Sequence, residues 1–61
     1  MNKIRELRER KKMTQDEVAR QVGVGRSTVA KWESGENLPR ARQLISLASL
    51  FNVKVDALLR L

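Results

Sequence analysis

Four side chains have the spacing to act as one surface: Arg26, Ser27, Ala30 and Lys31. On a helix, positions i, i+1, i+4 and i+5 share a face. Their chemistry is hydrogen-bond donation from Arg26, Ser27 and Lys31 beside a small apolar Ala30, not bond making. Arg26 carries the two-pronged guanidinium that matches guanine O6 and N7, a contact that discriminates by about 1–3 kcal/mol. Lys31 can reach guanine or a phosphate, Ser27 a base edge, and Ala30 is small enough to admit the backbone or touch a thymine methyl. Catalytic candidates are few. The chain has no His and no Cys, which removes most nucleophilic, general-base and zinc chemistry. Asp16, Glu17, Glu33 and Asp56 read as helix-end or ion-pair carboxylates rather than acid–base catalysts. The expectation is a non-enzyme with no cofactor and no metal.

The elements that must position these side chains are two short helices joined by a glycine turn, residues 15–34. Val18, Ala19 and Val22 form one apolar stripe, and Val24, Val29 and Trp32 a second, with Gly23 between them. Helices that cross steeply over a turn of three or four residues leave little room at the contact, and Ala19 keeps the first one thin there. Gly23 supplies the positive φ that ends a helix and reverses the chain. Thr14 followed by Glu17 makes a capping box for the first helix of the pair. Trp32, one turn along from Val29, reads as core rather than as a base-stacking residue.

With Gln15, Ala19, Gly23, Val29, Trp32, Glu33, Gly35, Pro39 and Ala48 in these positions, the chain resembles the Cro/repressor-like helix-turn-helix family, often called the XRE family. The resemblance covers nearly the whole chain. It implies an all-α, compact five-helix bundle of the lambda-repressor-like type, with the second and third helices as the helix-turn-helix. It also implies homodimers on near-palindromic double-stranded DNA operators, acting in transcription regulation and most often in repression. Gln15 then opens the second helix against the DNA backbone, where free N–H groups and partial positive charge attract phosphate. Arg8 and Glu33 occupy positions that the family commonly pairs. Two residues depart from the pattern: Gly25 and Lys54 stand where Ser or Thr usually caps the third and fifth helices.

The 61 residues make one domain, 1–61, and a domain of this size buries only about 60% of its unfolded surface. Net charge is +6, which suits a polyanionic partner as well as plain solubility. No apolar segment follows the basic N-terminus as in a signal peptide. The longest apolar stretch, Leu44 to Phe51, is interrupted by Ser46 and Ser49 and is far short of the roughly 20 residues of a membrane span. A cytoplasmic protein, bacterial or carried by a phage or plasmid, is expected.

Helical periodicity places the first helix at about Asn2 to Lys12, with Ile4 and Leu7 as its apolar positions and Glu6–Arg10 as an i, i+4 pair. The second runs from Gln15 to Val22, the third from Arg26 to Ser34, closed by Gly35. The fourth runs from Ala41 to Phe51, with a broad face of Leu44, Ile45, Leu47, Ala48 and Phe51 and a left-handed stop at Asn52. A short fifth covers Val55 to Arg60. The expected core is Leu7, Val18, Ala19, Val22, Val29, Trp32, Leu44, Leu47, Ala48, Phe51 and Leu58. Asn37, Arg40 and Arg42, after Gly35, are candidate phosphate contacts by position and charge. Thr28, between the inner and outer faces of its helix, joins them with Gln15. Six of the thirteen basic residues lie in the first helix; most of them are expected to face water, and they are not assigned to DNA.

Affinity calls for pairing. One such domain neutralises about four phosphates; two give a slope of log K against log salt of roughly −7. Two recognition helices would then sit about 34 Å apart, one DNA turn. Phe51, Val53, Val55, Leu58 and Leu61 are the candidate dimer surface. The same residues could instead complete the monomer core, or the chain could be the amino-terminal part of a longer repressor. Another class of function is a protein-interaction module or antitoxin-type partner using the same fold, but such a surface should be apolar or acidic where Arg26 and Lys31 stand. A membrane-surface role for the first helix fails because Ile4 and Leu7 offer too little apolar area.

Overall fold

The structure, a computed structural model, describes residues 3–59. Five helices follow in order: α1 (Lys3–Arg10), α2 (Gln15–Val22), α3 (Arg26–Ser34), α4 (Ala41–Phe51) and α5 (Val55–Leu59). Among the described residues there is no strand. The expected bounds of α2, α3 and α4 match. Asn2 and Arg60, expected helix ends, and Leu61 lie outside the described residues.

Local chemistry accounts for most of these bounds. Thr14 Oγ1 accepts from the Glu17 N–H at 3.1 Å, and Glu17 Oε1 accepts from the Thr14 N–H at 2.8 Å. Two of the free donors at the start of α2 are thereby satisfied. Gly25 begins α3 with extended backbone and no side-chain cap. In α4, Gln43 Oε1 accepts from the Arg40 N–H at 2.8 Å.

Helices α1 to α4 all end on a left-handed residue: Lys12, Gly23, Gly35 and Asn52, with φ of 56°, 80°, 86° and 55°. Each closes the last turn with backbone hydrogen bonds, such as Val24 N–H to Ala19 O at 3.0 Å and Val53 N–H to Ala48 O at 2.9 Å. A Cβ on Gly23 would meet nothing within 4 Å, so the glycine serves the backbone angle and not the space. Lys12 was not expected as a stop, and it shortens α1 relative to the expected end at Lys12. A Lys in this region is disfavoured by steric contact of its Cβ with the carbonyl that follows. Arg8 holds the turn from both sides: its carbonyl accepts from the Met13 N–H at 3.1 Å, and its Nη1 donates to the Met13 carbonyl at 2.9 Å.

The core sits where α2 and α3 cross and α4 packs beneath them, with α1 and α5 closing the sides. Ile4, Val18, Val29, Leu47 and Leu58 are fully enclosed, and Leu7, Ala19, Trp32, Ala48 and Phe51 are buried around them. Trp32 is thus a core residue, 2% exposed. Two adjustments to the expected core, and one to the apolar face of α4, follow from how the helices cross. Ile4 joins it. Val22 and Leu44 are only half-buried at its edge. Ile45, read as part of the apolar face of α4, is 64% exposed, because the stripe that meets α2 and α5 is narrower than the run of apolar residues.

Candidate nucleic-acid interface

The third helix divides its side chains cleanly. Val29, Trp32 and Glu33 are buried, Thr28 and Ala30 are half-buried, and Arg26, Ser27 and Lys31 are exposed. No hydrogen bond or ion pair joins the side chains of Arg26, Ser27 or Lys31 to any described residue. Donors left in this state on the outer face of a helix are available to a partner.

Two grooves flank that face. The first, of about 550 Å³, lies between the end of α1 and the starts of α2 and α3, and Lys12, Thr14, Gln15, Asp16 and Arg26 line it. Gln15 and Arg26, read separately as a backbone and a base contact, are therefore neighbours. Lys12, not assigned to DNA from the sequence, lines this groove as well. The second groove, of about 340 Å³, brings together Thr28, Asn37 and Arg40 with Leu38 between them. Three of the five candidate phosphate contacts thus share one concavity. Arg42, exposed in the first turn of α4, is not among the residues that line either groove.

Behind the face stands a buried polar cluster. Arg8 Nε donates to Glu33 Oε2 at 2.6 Å, and Arg8 Nη2 donates to Glu33 Oε1 at 3.1 Å. The pair is two-pronged, and the side chains are 14% and 5% exposed. The hydrogen bond to Glu33 is the main reason the Arg8 guanidinium holds its proton more firmly than usual, against the opposing effect of burial. Gln15 Nε2 donates to the same carboxylate oxygen at 3.1 Å. The residues expected to pair do so, and Gln15 has a structural partner that its first-turn position did not reveal. This cluster ties α1, the start of α2 and the end of α3 into one unit.

The candidate dimer residues divide. Leu58 is fully enclosed and Phe51 is 7% exposed, so their area is already used within one chain. Val53 and Val55 are half-buried against the core. Leu61 lies outside the described residues. Among the described residues no cluster of His, Cys, Asp or Glu could hold a metal ion, and no helix is long and apolar enough to cross a membrane.

Comparison with known proteins places this geometry. A family model described as helix-turn-helix matches residues 4–58. The HTH-type transcriptional activator BcrR of Enterococcus faecalis is 39% identical over 57 residues, 93% of this chain but 28% of that protein. An uncharacterised HTH-type transcriptional regulator of Archaeoglobus fulgidus is 39% identical over 56 residues, 92% of this chain and 80% of its own length. The cryptic phage CTXphi transcriptional repressor RstR of Vibrio cholerae is 35% identical over 57 residues, 93% of this chain and 51% of that protein. The chain thus spans about a quarter of the activator and about half of the repressor. No solved structure gives a significant match. With the family model spanning all five helices, and regulators matching over nine-tenths of its length, the chain belongs to the Cro/repressor-like (XRE) helix-turn-helix family of DNA-binding transcription regulators.

Proposed function

We propose that this domain is a repressor module that reads a near-palindromic operator as a homodimer, with α3 in the major groove. The observation that carries the reading is the outer face of α3, where Arg26, Ser27 and Lys31 stand exposed with no internal partner. Arg26, Ser27, Ala30 and Lys31 contact base edges, since the first turns of a recognition helix approach them most closely. Gln15, Thr28, Asn37, Arg40 and Arg42 meet the sugar–phosphate strands and set the register. Two chains pair through the open parts of Val53 and Val55, near the α4–α5 corner, with Leu61 as a further candidate from the sequence. Repression follows from occupancy of the operator, and the protein works in the cytoplasm on DNA. RstR is named a repressor and BcrR an activator, so a reporter gene under the selected operator reads the sign.

Selection from a random duplex library, then affinity measured across salt and sedimentation with and without DNA, tests the reading. The expected result is two half-sites one turn apart, a dimer on DNA, and a slope near −7. A single half-site bound by a monomer, with a slope of about half that value, would overturn the dimer.

A further inference from the structure

Leu38 is the most exposed large apolar side chain among the described residues, at 71%. Its loop is pinned on both sides. The Asn37 N–H donates to the Lys31 carbonyl at 3.3 Å, the Arg40 N–H donates to Gln43 Oε1 at 2.8 Å, and Pro39 between them is buried. A leucine held outward by such anchors stays in water unless a partner covers it, at a cost that follows its apolar area. Leu38 lines the groove it shares with Thr28 of α3, Asn37 and Arg40. Its surroundings are therefore amide, hydroxyl and cationic groups on the edge that flanks the recognition helix. The other large exposed aliphatic among the described residues, Ile45, lies in a separate groove lined by Gln21, Ser46, Ser49 and Leu50, with no charged residue.

A surface that sets one cation, Arg40, beside one outward hydrocarbon, Leu38, matches one strand of a duplex, where each phosphate is followed by a deoxyribose. We propose that Leu38 is a DNA-contacting residue that packs against the C–H surface of the duplex, beside the phosphates met by Asn37 and Arg40. It adds affinity that salt does not screen. The inference rests on the reading of the α3 face as the DNA surface. That C–H surface has two sources, the deoxyribose ring and the thymine methyl, and the experiment separates them.

The full chain is compared with Leu38→Ala and Leu38→Lys on the selected operator, on an unrelated duplex, and on operator carrying uracil in place of thymine, each at several salt concentrations. Leu38→Ala is expected to weaken operator binding about five- to tenfold with the salt slope unchanged, since a partly buried leucine is a nonpolar contact. Leu38→Lys is expected to steepen the slope by about one, as a cation next to a phosphate does. If the loss on the unrelated duplex is equal and uracil has no effect, the contact is with the sugar. If uracil weakens the parent and leaves Leu38→Ala unaffected, the contact is with the thymine methyl. A Leu38→Ala affinity within twofold of the parent overturns the proposal, as does a Leu38→Lys slope that does not change. Dissociation of the dimer by Leu38→Ala also overturns it, because the side chain then belongs to contact with a second copy. Failure of the underlying reading looks different: the parent itself then binds no duplex, and both claims fall.

Discussion

The two sides of α3 follow opposite rules. Toward the interior, Val29 and Trp32 are packed, and Glu33 accepts three hydrogen bonds from Arg8 and Gln15. Toward solvent, Arg26, Ser27 and Lys31 are exposed and their side chains make no hydrogen bond or ion pair with any described residue. One side stores stability in fixed partners, and the other keeps its donors for a partner outside the chain. Substitutions should therefore separate cleanly into those that change melting and those that change DNA preference.

The interior side should break first and furthest. Removing one member of a buried ion pair leaves the other uncompensated, so Glu33→Ala should cost about 3 kcal/mol and lower Tm by on the order of 15 °C. A melt within a degree or two of the parent would show that the pair behaves as an exposed one. Arg26→Ala should do the reverse. Its Tm should match the parent, while base preference at one position in each half-site falls by about 1–3 kcal/mol and nonspecific binding persists. Uniform weakening with unchanged preference would instead make Arg26 a backbone contact.

A finer test lies at the turn that brings Met13 to Arg8. Lys12→Gly removes the left-handed Cβ and should stabilise by about 0.5–1 kcal/mol, read as a small rise in Tm. A fall would mean that the Lys12 side chain contributes more than its backbone costs. The smallest effect is expected on α1. Lys3, by hydrogen bond and then by charge, holds the exposed Glu6 carboxyl below its ordinary value, with Arg10 adding to the effect. A lowered folded value means that this stability is present above the ordinary carboxylate range and is lost as pH falls through the folded value. Melts of the parent and of Glu6→Gln should converge on that acid side.

Much of the molecule was legible from residue order. The capping box at Thr14 and Glu17, the stops at Gly23, Gly35 and Asn52, and the pairing of Arg8 with Glu33 all stand in the structure. Lys12 as a stop was not legible, because lysine has no preference for the left-handed region; the grip of Arg8 on Met13 accompanies it there. Ile4 and Ile45 were both read as apolar face positions outside the expected core, and the structure encloses the first and exposes the second, a ranking that periodicity alone cannot make. Phe51 and Leu58 were expected both in the core and at a dimer surface, and packing between α4 and α5 buries them within one chain. That the Gln15 amide also donates to Glu33, at the far end of α3, was not legible from its first-turn position.

Helix ends are decided within four or five residues, by caps and backbone angles, so residue order was enough to place those of α2, α3 and α4 and to show which face of α3 carries donors. Which apolar faces meet, which side of Gln15 is occupied, and which side chains line a common groove depend on where one helix crosses another. Those outcomes belong to packing at long range, and only the assembled bundle could decide them.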